Sequence, residues 1–521
     1  MREVSFLTGE QAVAKIPDNA VVGTVGFMLT GTPEELFIRI EERFLKEKAP
    51  KNITMMFASG IGDGTDRFGI NHLCHEGLLK RIICGHYGLI PKISPLVNEN
   101  KIEAYNFPQG VLTSLFREMA GNRPGLISSV GMHTYIDPDQ SGGKLNDVTK
   151  EDLVIKVNIE NEDYLFYKSQ KLDVALLRGT EADDMGNIGY SEEALMLENL
   201  AVATACKGNG GKVIVQVKRK VKNGDIPPRL VSIPHTLVDY VVVVDDENNH
   251  KQTGASAFNK EFISASSAVI EEEFAPVPLD MKQIVARRAV LEINKDMMVV
   301  NYGIGMPEKV AEIVAIEGYK NAFSASVEPG VVGGNAQGGL DFGSAINPQG
   351  IITHPQQFDV YDSGGIDISF LGMAQVNAEG NINVSKFGPK IPGCGGFINI
   401  SQSTKNMVFC GNFTAGGLKI EIANGEVKIL QEGKVKKFIN DLEQITYNGK
   451  YEYSKGKKTT IITERAVFEV RDKGLTLTEI APGIDLEKDI LAHMEFKPQI
   501  AEDLKIMDKR IFTEGKMNLV L

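Results

Sequence analysis

A carboxylate followed at once by proline and glycines is the feature of this sequence that most suggests chemistry. Glu328 ends a predicted strand, 322–327, and is followed by Pro329-Gly330-Val331-Val332-Gly333-Gly334. Open α/β sheets bind ligands at the carboxyl ends of their strands, and glycines let the backbone approach a substrate and present N–H groups. Glu328 could therefore act as a base or a nucleophile, with Gly333 and Gly334 at the substrate. A solvated glutamate in a glycine turn fits the pattern as well, since glutamate is mostly exposed.

A second glycine cluster, Pro392-Gly393-Cys394-Gly395-Gly396, follows another predicted strand at 383–385. Backbone N–H groups from such a turn can stabilise a developing oxyanion. Taken alone, however, the cluster is better explained as an ordinary tight turn.

A third glycine cluster lies beside lysines that could meet an anionic ligand. It reads Gly416-Gly417-Leu418-Lys419, and Lys434, Lys436 and Lys437 follow. Short runs of charge usually lie in solvent, so an exposed helix face is the favoured interpretation of the last three lysines.

Five residues have the chemistry of metal ligands: His72, Cys74, His75, Cys84 and His86. Their H-x-C-H…C-x-H spacing matches no common structural zinc site, so buried cysteines and turn histidines are the favoured interpretation. The chain has no GxxxxGK[ST] phosphate loop, no GxGxxG that follows a strand and opens a helix, and no GxSxG elbow.

Composition is that of an ordinary globular protein. Of 521 residues, 42% are hydrophobic and 24% are charged. The 56 basic and 68 acidic groups give a net charge of −12, which supplies no basic face for a nucleic acid. Five cysteines without a CxxC pair indicate a reducing compartment. We find no apolar signal core and no apolar run of membrane-spanning length, so we expect a cytoplasmic protein without a membrane partner.

The elements that must position these residues alternate between strand and helix. A helix is predicted to open at Pro33, with glutamates in its first turn. The buried strands are predicted at Val21–Val25, Val174–Leu177, Val213–Val217 and Tyr240–Val244. This rhythm predicts open, mostly parallel α/β sheets.

Two motifs recur in the same order along the chain. The segment 21–26 followed by Pro33-Glu34 returns as 299–305 followed by Pro307-Glu308, and the segment 173–177 leading to 186–188 returns as 367–371 leading to 380–382. The shared order favours duplication over a coincidence of common strand–turn patterns. We therefore predict two similar α/β domains, 1–245 and 281–521, joined by a polar linker at 246–280 that ends in a proline-containing stretch.

The stretch Ser326-Val327-Glu328-Pro329-Gly330 resembles the S-x-E-x-G signature of family I coenzyme A transferases. The resemblance covers essentially the whole chain, through the motifs at 303–307, 367–372, 393–396, 413–419, 462–465 and 479–485. Together these are most similar to the fused single-chain propionate or acetate branch. That branch carries an α-like half, here 1–245, and a β-like half, here 281–521 with the catalytic glutamate, in one polypeptide.

The resemblance implies a reversible ping-pong transfer of CoA. The donor would be a short-chain acyl-CoA such as acetyl-, propionyl- or butyryl-CoA, the acceptor a carboxylate such as acetate, and the intermediate a glutamyl-CoA thioester on Glu328. Splitting the exchange into covalent steps moves CoA without ATP. The family implies no metal and no cofactor besides the CoA substrate, and it implies a homodimer or a homotetramer.

Other roles carry over from the family by position. Asn301 matches an asparagine near the acyl group and CoA in the 3-oxoacid branch, and Gly396 matches a glycine whose N–H faces the glutamyl carbonyl oxygen. Gln109 matches a glutamine of the N-terminal domain that reaches the active site. Gly395 and Lys419 are further candidates for substrate binding.

One departure concerns the acceptor pocket. The 3-oxoacid branch carries an asparagine in the loop that reads Ala58-Ser59-Gly60 here, so a strict 3-oxoacid preference is not expected.

Two other functions remain open, an acyl-CoA hydrolase on the same fold and a non-catalytic CoA-binding protein. The sequence does not separate short-chain acids, because a methylene in an apolar pocket contributes only about 1–3 kcal/mol.

Overall fold

The computed structural model describes residues 4–266, 279–320 and 322–521. The chain forms two compact units. The first unit comprises Met1–Ser266, Val327–Val360 and Gly388–Asn399, and the second comprises Ser267–Ser326, Tyr361–Phe387 and Ile400–Leu521. Glu328 and the 393–396 glycine cluster therefore fold with the N-terminal residues, although they come late in the sequence.

The helices and strands of the described residues follow in chain order. The strands are β1 (Ser5–Phe6), β2 (Val21–Thr24), β3 (Ile53–Phe57), β4 (Leu79–Cys84), β5 (Glu103–Asn106), β6 (Gly125–Ser128), β7 (Val154–Ile159), β8 (Glu162–Lys168), β9 (Val174–Asp183), β10 (Ile188–Gly189), β11 (Lys212–Val221), β12 (Val231–Ile233), β13 (Tyr240–Val243), β14 (Val299–Tyr302), β15 (Ser324–Val327), β16 (Val331–Val332), β17 (Asn335–Ala336), β18 (Ala345–Ile346), β19 (Gly350–Ile351), β20 (Ile368–Gly372), β21 (Gln375–Val376), β22 (Ile382–Asn383), β23 (Asn406–Cys410), β24 (Thr414–Ala415), β25 (Lys419–Ala423), β26 (Glu426–Gln431), β27 (Val435–Lys436), β28 (Lys458–Ile462), β29 (Ala466–Arg471), β30 (Gly474–Ile480) and β31 (Gln499–Ile506). The α-helices are α1 (Gly9–Val13), α2 (Glu34–Glu47), α3 (Ile93–Asn98), α4 (Gln109–Ala120), α5 (Asn199–Gly208), α6 (Met281–Ala289), α7 (Glu308–Ile316), α8 (His354–Asp362), α9 (Phe397–Ser403) and α10 (Gly449–Ser454).

The main sheet of the first unit has the strand order β1-β13-β11-β9-β2-β3-β4-β5, and these neighbours pair in parallel. Its central strands are buried on both faces because the side chains alternate between two separate hydrophobic clusters. In β9, Ala175 and Leu177 join one cluster, while Val174 and Leu176 join the other. This explains why the central strands are nearly continuous apolar runs.

The second unit is built around strands in the order β15-β14-β20-β23-β28-β29-β30-β31. The run from β15 to β28 is parallel, β28, β29 and β30 are joined by antiparallel pairing, and β31 adds a further parallel strand. Within the part of the chain that is described, no helix is both long enough and apolar enough to cross a membrane.

The two recurring sequence motifs occupy equivalent places in the two units. In the first, β2 pairs with β9 in parallel and Val22 lies opposite Val174. In the second, β14 pairs with β20 in parallel and Val300 lies opposite Ile368. An aspartate makes the same hydrogen bond in each pair. The Asp173 carboxylate accepts from the backbone N–H of residue 21 at 2.8 Å, and the Asp367 carboxylate accepts from the backbone N–H of residue 299 at 3.0 Å. The prediction of two similar halves is confirmed.

The predicted linker differs from the structure over its first part. Residues 246–266 belong to the first unit. There Asn249 Nδ2 donates to Glu35 Oε2 at 2.6 Å, and the buried His250 ring lies 3.1 Å from Gln216 Nε2. The polar side chains that suggested a linker are thus satisfied inside a packed unit. The segment 267–278 lies outside the described residues, and the boundaries of the homologous halves, 1–245 and 281–521, stay a prediction.

The lysine cluster also differs from its prediction. Lys436 lies in β27 rather than on a helix, and Lys437 is buried. Burial lowers the pKa of Lys437 to about 8, and its ammonium group donates to Asn412 Oδ1 at 3.3 Å. The prediction of an exposed helix face was therefore wrong, because a charge run does not reveal which lysine turns inward.

A fully buried ion pair follows β28 in the motif 462–465. Arg465 is 0% exposed, and its Nε lies 2.6 Å from Glu464 Oε1, which is also buried. Its guanidinium group also lies 2.7 Å from Glu432 and 4.9 Å from the centre of the Phe413 ring. Removing one partner of such a pair leaves a buried charge unsatisfied, which is costly.

Replacing Arg465 by methionine is expected to lower the free energy of unfolding by about 3–5 kcal/mol, because Glu464 would remain buried without its cation. Urea unfolding followed by circular dichroism measures the loss. The matched control is Arg471→Met, because Arg471 is 44% exposed and pairs with Glu469 at 2.7 Å. That exposed pair should contribute less than about 1 kcal/mol, and equal losses in the two variants would contradict this account.

Candidate active site

Glu328 directly follows the last residue of β15 and is half-buried. The chain then turns through Gly330, whose φ is +116°. A Cβ atom there would lie 2.1 Å from the carbonyl oxygen of Ile352, so only glycine fits the turn. The sequence thus places a carboxylate at a strand end, beside a turn whose backbone path is tightly constrained.

Gly333 and Gly334 extend this turn with φ values of +67° and +74°. A Cβ atom would lie 2.6 Å from the Gln349 side chain at the first position and 2.6 Å from the Ile346 carbonyl oxygen at the second. Backbone geometry alone therefore accounts for both glycines. Their predicted role in substrate binding stays a prediction.

The 393–396 loop is fixed at the carboxyl ends of β4 and β5. Gly395 N–H donates to the carbonyl of Gly85 at 2.7 Å, and Cys394 N–H donates to Asn106 Oδ1 at 3.0 Å. The loop brings Gly396 against the nucleophile candidate, since a Cβ atom on Gly396 would lie 2.9 Å from the carboxyl carbon of Glu328. The structure therefore brings Gly396 and Glu328 together.

Gln109 reaches the same carboxylate from the first turn of α4. Its backbone N–H donates to the carbonyl of Gly395 at 2.9 Å, and the next N–H, of Gly110, donates to Asn399 Oδ1 at 3.0 Å. Both bonds satisfy N–H groups that a helix start leaves without partners. The side chain of Gln109 then donates from Nε2 to Glu328 Oε2 at 3.3 Å.

The surroundings of Glu328 remove part of the solvation of its carboxylate. Burial raises the pKa of the Glu328 carboxyl above its ordinary value, while the hydrogen bond from Gln109 opposes that rise. A carboxylate with less solvation is more reactive toward a carbonyl carbon. The arrangement offers a nucleophile, an amide donor and a close backbone segment in one place.

Comparisons with known proteins decide the family. The chain is 43% identical over 521 residues to acetate CoA-transferase YdiF of Escherichia coli (strain K12), covering 99% of this chain and 97% of that protein. It is also 43% identical over 513 residues to the caffeate CoA-transferase of Acetobacterium woodii, covering 98% and 97%. A family model described as Coenzyme A transferase matches residues 6–244. The chain belongs to the coenzyme A transferase family.

Solved structures agree with this assignment. The apoenzyme of the acyl-CoA transferase YdiF from Escherichia coli O157:H7 matches with a TM-score of 0.92 and 41% identity, covering 100% of this chain and 98% of that one. The thioester complex of the same transferase with CoA matches with a TM-score of 0.91. The predicted fold class is thereby confirmed, and this chain is a CoA-transferase.

Two predicted site residues of this CoA-transferase lie in the second unit. Asn301 is a buried residue of β14, and its Oδ1 accepts from the Ser369 hydroxyl at 2.9 Å. Lys419 begins β25 and is exposed. The roles that the family resemblance assigns to Asn301 and Lys419 stay predictions.

The three histidines that were considered as metal ligands, His72, His75 and His86, make different contacts. His72 lies 2.5 Å from Glu41 and 3.0 Å from Glu34, and these carboxylates raise the pKa of His72 to about 9 against the effect of burial. His75 lies 2.6 Å from Glu41. His86 lies elsewhere, against Gly395, where burial lowers its pKa to about 4. Among the residues that the structure describes, no group of three or more histidine, cysteine or acidic side chains could hold a metal ion.

Sequence reasoning missed His354 and Glu198. His354 is the first residue of α8, and its Nε2 lies 2.8 Å from Gln109 Nε2. Its Nδ1 lies 2.8 Å from Glu198 Oε2. Pro355 could have marked the helix start, but no motif connects residues 109, 198 and 354.

Replacing Gly396 by alanine should lower kcat by about 100-fold, because the new methyl group would displace the Glu328 carboxylate from its position. The φ of Gly396 lies outside the left-handed region, so the variant should fold normally. Steady-state kinetics and circular dichroism measure the two effects. Gly208→Ala in the same unit is the control, since a Cβ atom there meets nothing within 4 Å. An unchanged kcat in Gly396→Ala would show that the close contact between Gly396 and Glu328 is not needed to position the carboxylate.

Proposed function

We propose that this enzyme transfers CoA reversibly from a short-chain acyl-CoA to a carboxylate acceptor such as acetate, with Glu328 as the covalent nucleophile. The observation that carries the proposal is the Glu328 carboxylate held between the Gln109 amide and the backbone of Gly396. The 43% identity to an acetate CoA-transferase supports the acceptor class, and the CoA thioester complex of a structural relative supports a covalent route.

The first half-reaction loads CoA onto the enzyme. A Glu328 oxygen attacks the thioester carbonyl of the acyl-CoA, and the carbon–sulfur bond breaks to give a mixed anhydride and the CoA thiolate. The thiolate then attacks the Glu328 carboxyl carbon, and the first acid leaves as its carboxylate. The product is a glutamyl-CoA thioester, and no net proton is taken up or released.

The second half-reaction reverses these steps with a new acid. The incoming carboxylate attacks the glutamyl carbonyl and expels the CoA thiolate, and the thiolate then attacks the acyl carbonyl of the new anhydride. This regenerates the Glu328 carboxylate and releases the new acyl-CoA. The glutamyl thioester retains the free energy of the original thioester, so the exchange needs no ATP.

The neighbours of Glu328 would stabilise charge during these steps. When the thiolate or the incoming carboxylate adds to the Glu328 carbonyl, its oxygen becomes an oxyanion, and fixed N–H donors stabilise an oxyanion without reorganisation. We assign this role to the Gln109 amide and to the backbone N–H of Gly396. The resemblance adds Asn301 near the acyl group and Gly333, Gly334, Gly395 and Lys419 as substrate contacts, and these are part of the proposal.

The proposal also states which carboxylic acids the enzyme prefers as acceptors. The relatives include both an acetate and a caffeate CoA-transferase at 43% identity. We favour short-chain acids because the sequence motifs are most similar to the acetate and propionate branch. Initial rates with acetate, propionate, butyrate and caffeate as competing acceptors would rank them. We also propose a cytoplasmic homodimer or homotetramer, which light scattering and cell fractionation would test.

Incubation of the protein with acetyl-CoA should give an adduct on the peptide that contains Glu328. The expected mass increase is that of CoA less one water, and added acetate should reverse it. Borohydride should trap the thioester by reducing the Glu328 side chain to an alcohol. Mass spectrometry of the intact chain and of its peptides detects each change.

Glu328→Ala should form no adduct and lose at least about 10³-fold in turnover, with an unchanged circular dichroism spectrum. Turnover without any adduct in the wild-type protein would refute the covalent route. Release of free CoA in the absence of an acceptor, as fast as transfer in its presence, would identify a hydrolase instead.

The rate of thioester formation should fall on the acid side with an apparent pKa above 4.5, the ordinary value for glutamate. Only the ionised carboxylate attacks, and burial raises its pKa, so protonation stops the reaction at a higher pH than for an exposed glutamate. Gln109→Ala removes a hydrogen bond that lowers this pKa, so the acid limb should move to still higher pH.

Stopped-flow measurement with acyl-CoA alone, between about pH 4 and 8, isolates the first half-reaction from ionisation of the acceptor. Gln170→Ala is the control, because Gln170 donates to the carbonyls of residues 168 and 169 instead. An acid limb that moves to lower pH in Gln109→Ala would contradict the assignment.

A further inference from the structure

Three helices of the first unit start beside one another. Gln109 is the first residue of α4, His354 is the first residue of α8, and Glu198 immediately precedes α5. The backbone connects two of these starts, since His354 N–H donates to the carbonyl of Leu197 at 3.3 Å. The side chains of His354 and Glu198 are 0% and 1% exposed.

The hydrogen bonds among these side chains fix the tautomer of His354. The Glu198 carboxylate can only accept, so the Nδ1 atom of His354, 2.8 Å from Glu198 Oε2, carries the hydrogen. In the neutral ring Nε2 then has a lone pair. That lone pair accepts from Gln109 Nε2 at 2.8 Å.

The amide nitrogen of Gln109 has two hydrogens, and both are used. One points to His354 Nε2 and the other to Glu328 Oε2, 3.3 Å away. If the amide turned over, its oxygen would face both the lone pair of His354 and the Glu328 carboxylate. Acceptors facing each other without a hydrogen are unfavourable in a buried site, so His354 selects the orientation in which Gln109 donates.

We propose that His354 and Glu198 are positioning residues for the transfer reaction, acting through Gln109. Glu198 holds the tautomer of His354, His354 holds the amide orientation of Gln109, and Gln109 donates to the oxygen of Glu328 that becomes the oxyanion. The inference rests on the proposed function of Glu328. Neither His354 nor Glu198 is assigned a contact with substrate.

The test separates positioning from ordinary packing by removing one hydrogen bond of His354 at a time. His354→Asn keeps a donor near the Nδ1 position for Glu198 but removes the acceptor for Gln109. His354→Gln can place its amide oxygen near the Nε2 position and keep that acceptor. We expect thioester formation from acyl-CoA to slow about tenfold in His354→Asn and to stay within about threefold of wild type in His354→Gln.

A second readout is a double-mutant cycle with Gln109. In a Gln109→Ala background, His354→Asn should cause no further loss of rate, because its effect passes through the amide. The KM for acyl-CoA should stay unchanged in His354→Asn while kcat falls, since the amide acts on the covalent steps.

His250 provides a matched control inside the same unit. It is buried, its Nε2 lies 3.4 Å from Glu193 and its Nδ1 lies 3.1 Å from Gln216 Nε2. It thus belongs to a second glutamate–histidine–glutamine chain whose glutamine bonds to the carbonyl of Asn249. His250→Asn should leave the rate of thioester formation within about twofold of wild type.

The outcomes distinguish this inference from the proposed function. If wild type forms the Glu328 thioester and His354→Asn slows it equally with and without Gln109, or not at all, the positioning role is overturned. If His354→Asn does not fold, His354→Gln decides, and a rate as low as that of Gln109→Ala contradicts the proposal. If wild type forms no thioester on Glu328, the proposed function itself fails first.

Discussion

The site depends on the buried amide of Asn106. Its Nδ2 donates to the carbonyls of Cys84 and Gly85 at 2.8 and 2.7 Å, and its Oδ1 accepts from the Cys394 N–H at 3.0 Å and from the Tyr135 hydroxyl. One side chain, 0% exposed, therefore joins the end of β4 to the loop that carries Gly396. A buried amide with its hydrogen-bonding groups satisfied is both stable and specific in geometry, so it holds the Gly396 backbone against Glu328.

The same constraint explains why late segments of the chain fold with early ones. The 393–396 loop accepts the first N–H of α4 at Gly395, and the second N–H goes to Asn399. Gly110 must be glycine there, because a Cβ atom would lie 2.3 Å from the Phe358 ring. The start of α4 thus binds residues almost 300 positions later in the sequence, with a separation of 289 for the Gly110–Asn399 bond. The residues around Glu328 therefore come from two distant regions of the sequence, one near residue 109 and one at 393–399.

Sequence reasoning succeeds where the signal is local. Alternation between strand and helix gave the parallel sheets, and the paired motifs located β2, β9, β14 and β20 in equivalent registers. The turn after Glu328 was predicted because positive φ values require glycine, and a cluster of glycines is a local sequence signal.

Polar contacts between residues far apart in sequence give no local sequence signal. His354 contacts Glu198, 156 residues away in sequence, and Gln109, 245 residues away. No periodic pattern in the sequence links residues at such separations. The polar segment 246–266 and the lysine at 437 were misjudged for the related reason that polarity predicts exposure only when no buried partner exists.

The chemistry also explains why a histidine lies behind the site and not against the nucleophile. Each step of the proposed exchange moves an acyl group between oxygen and sulfur, and no step transfers a proton. An acid or base beside Glu328 would serve no step, whereas a donor fixed in orientation would stabilise each oxyanion that forms on Glu328. Gln109 is a suitable donor because an amide neither gains nor loses a proton near neutral pH. Its weakness is that it can turn over and present oxygen instead, and the ring of His354, held by Glu198, removes that freedom.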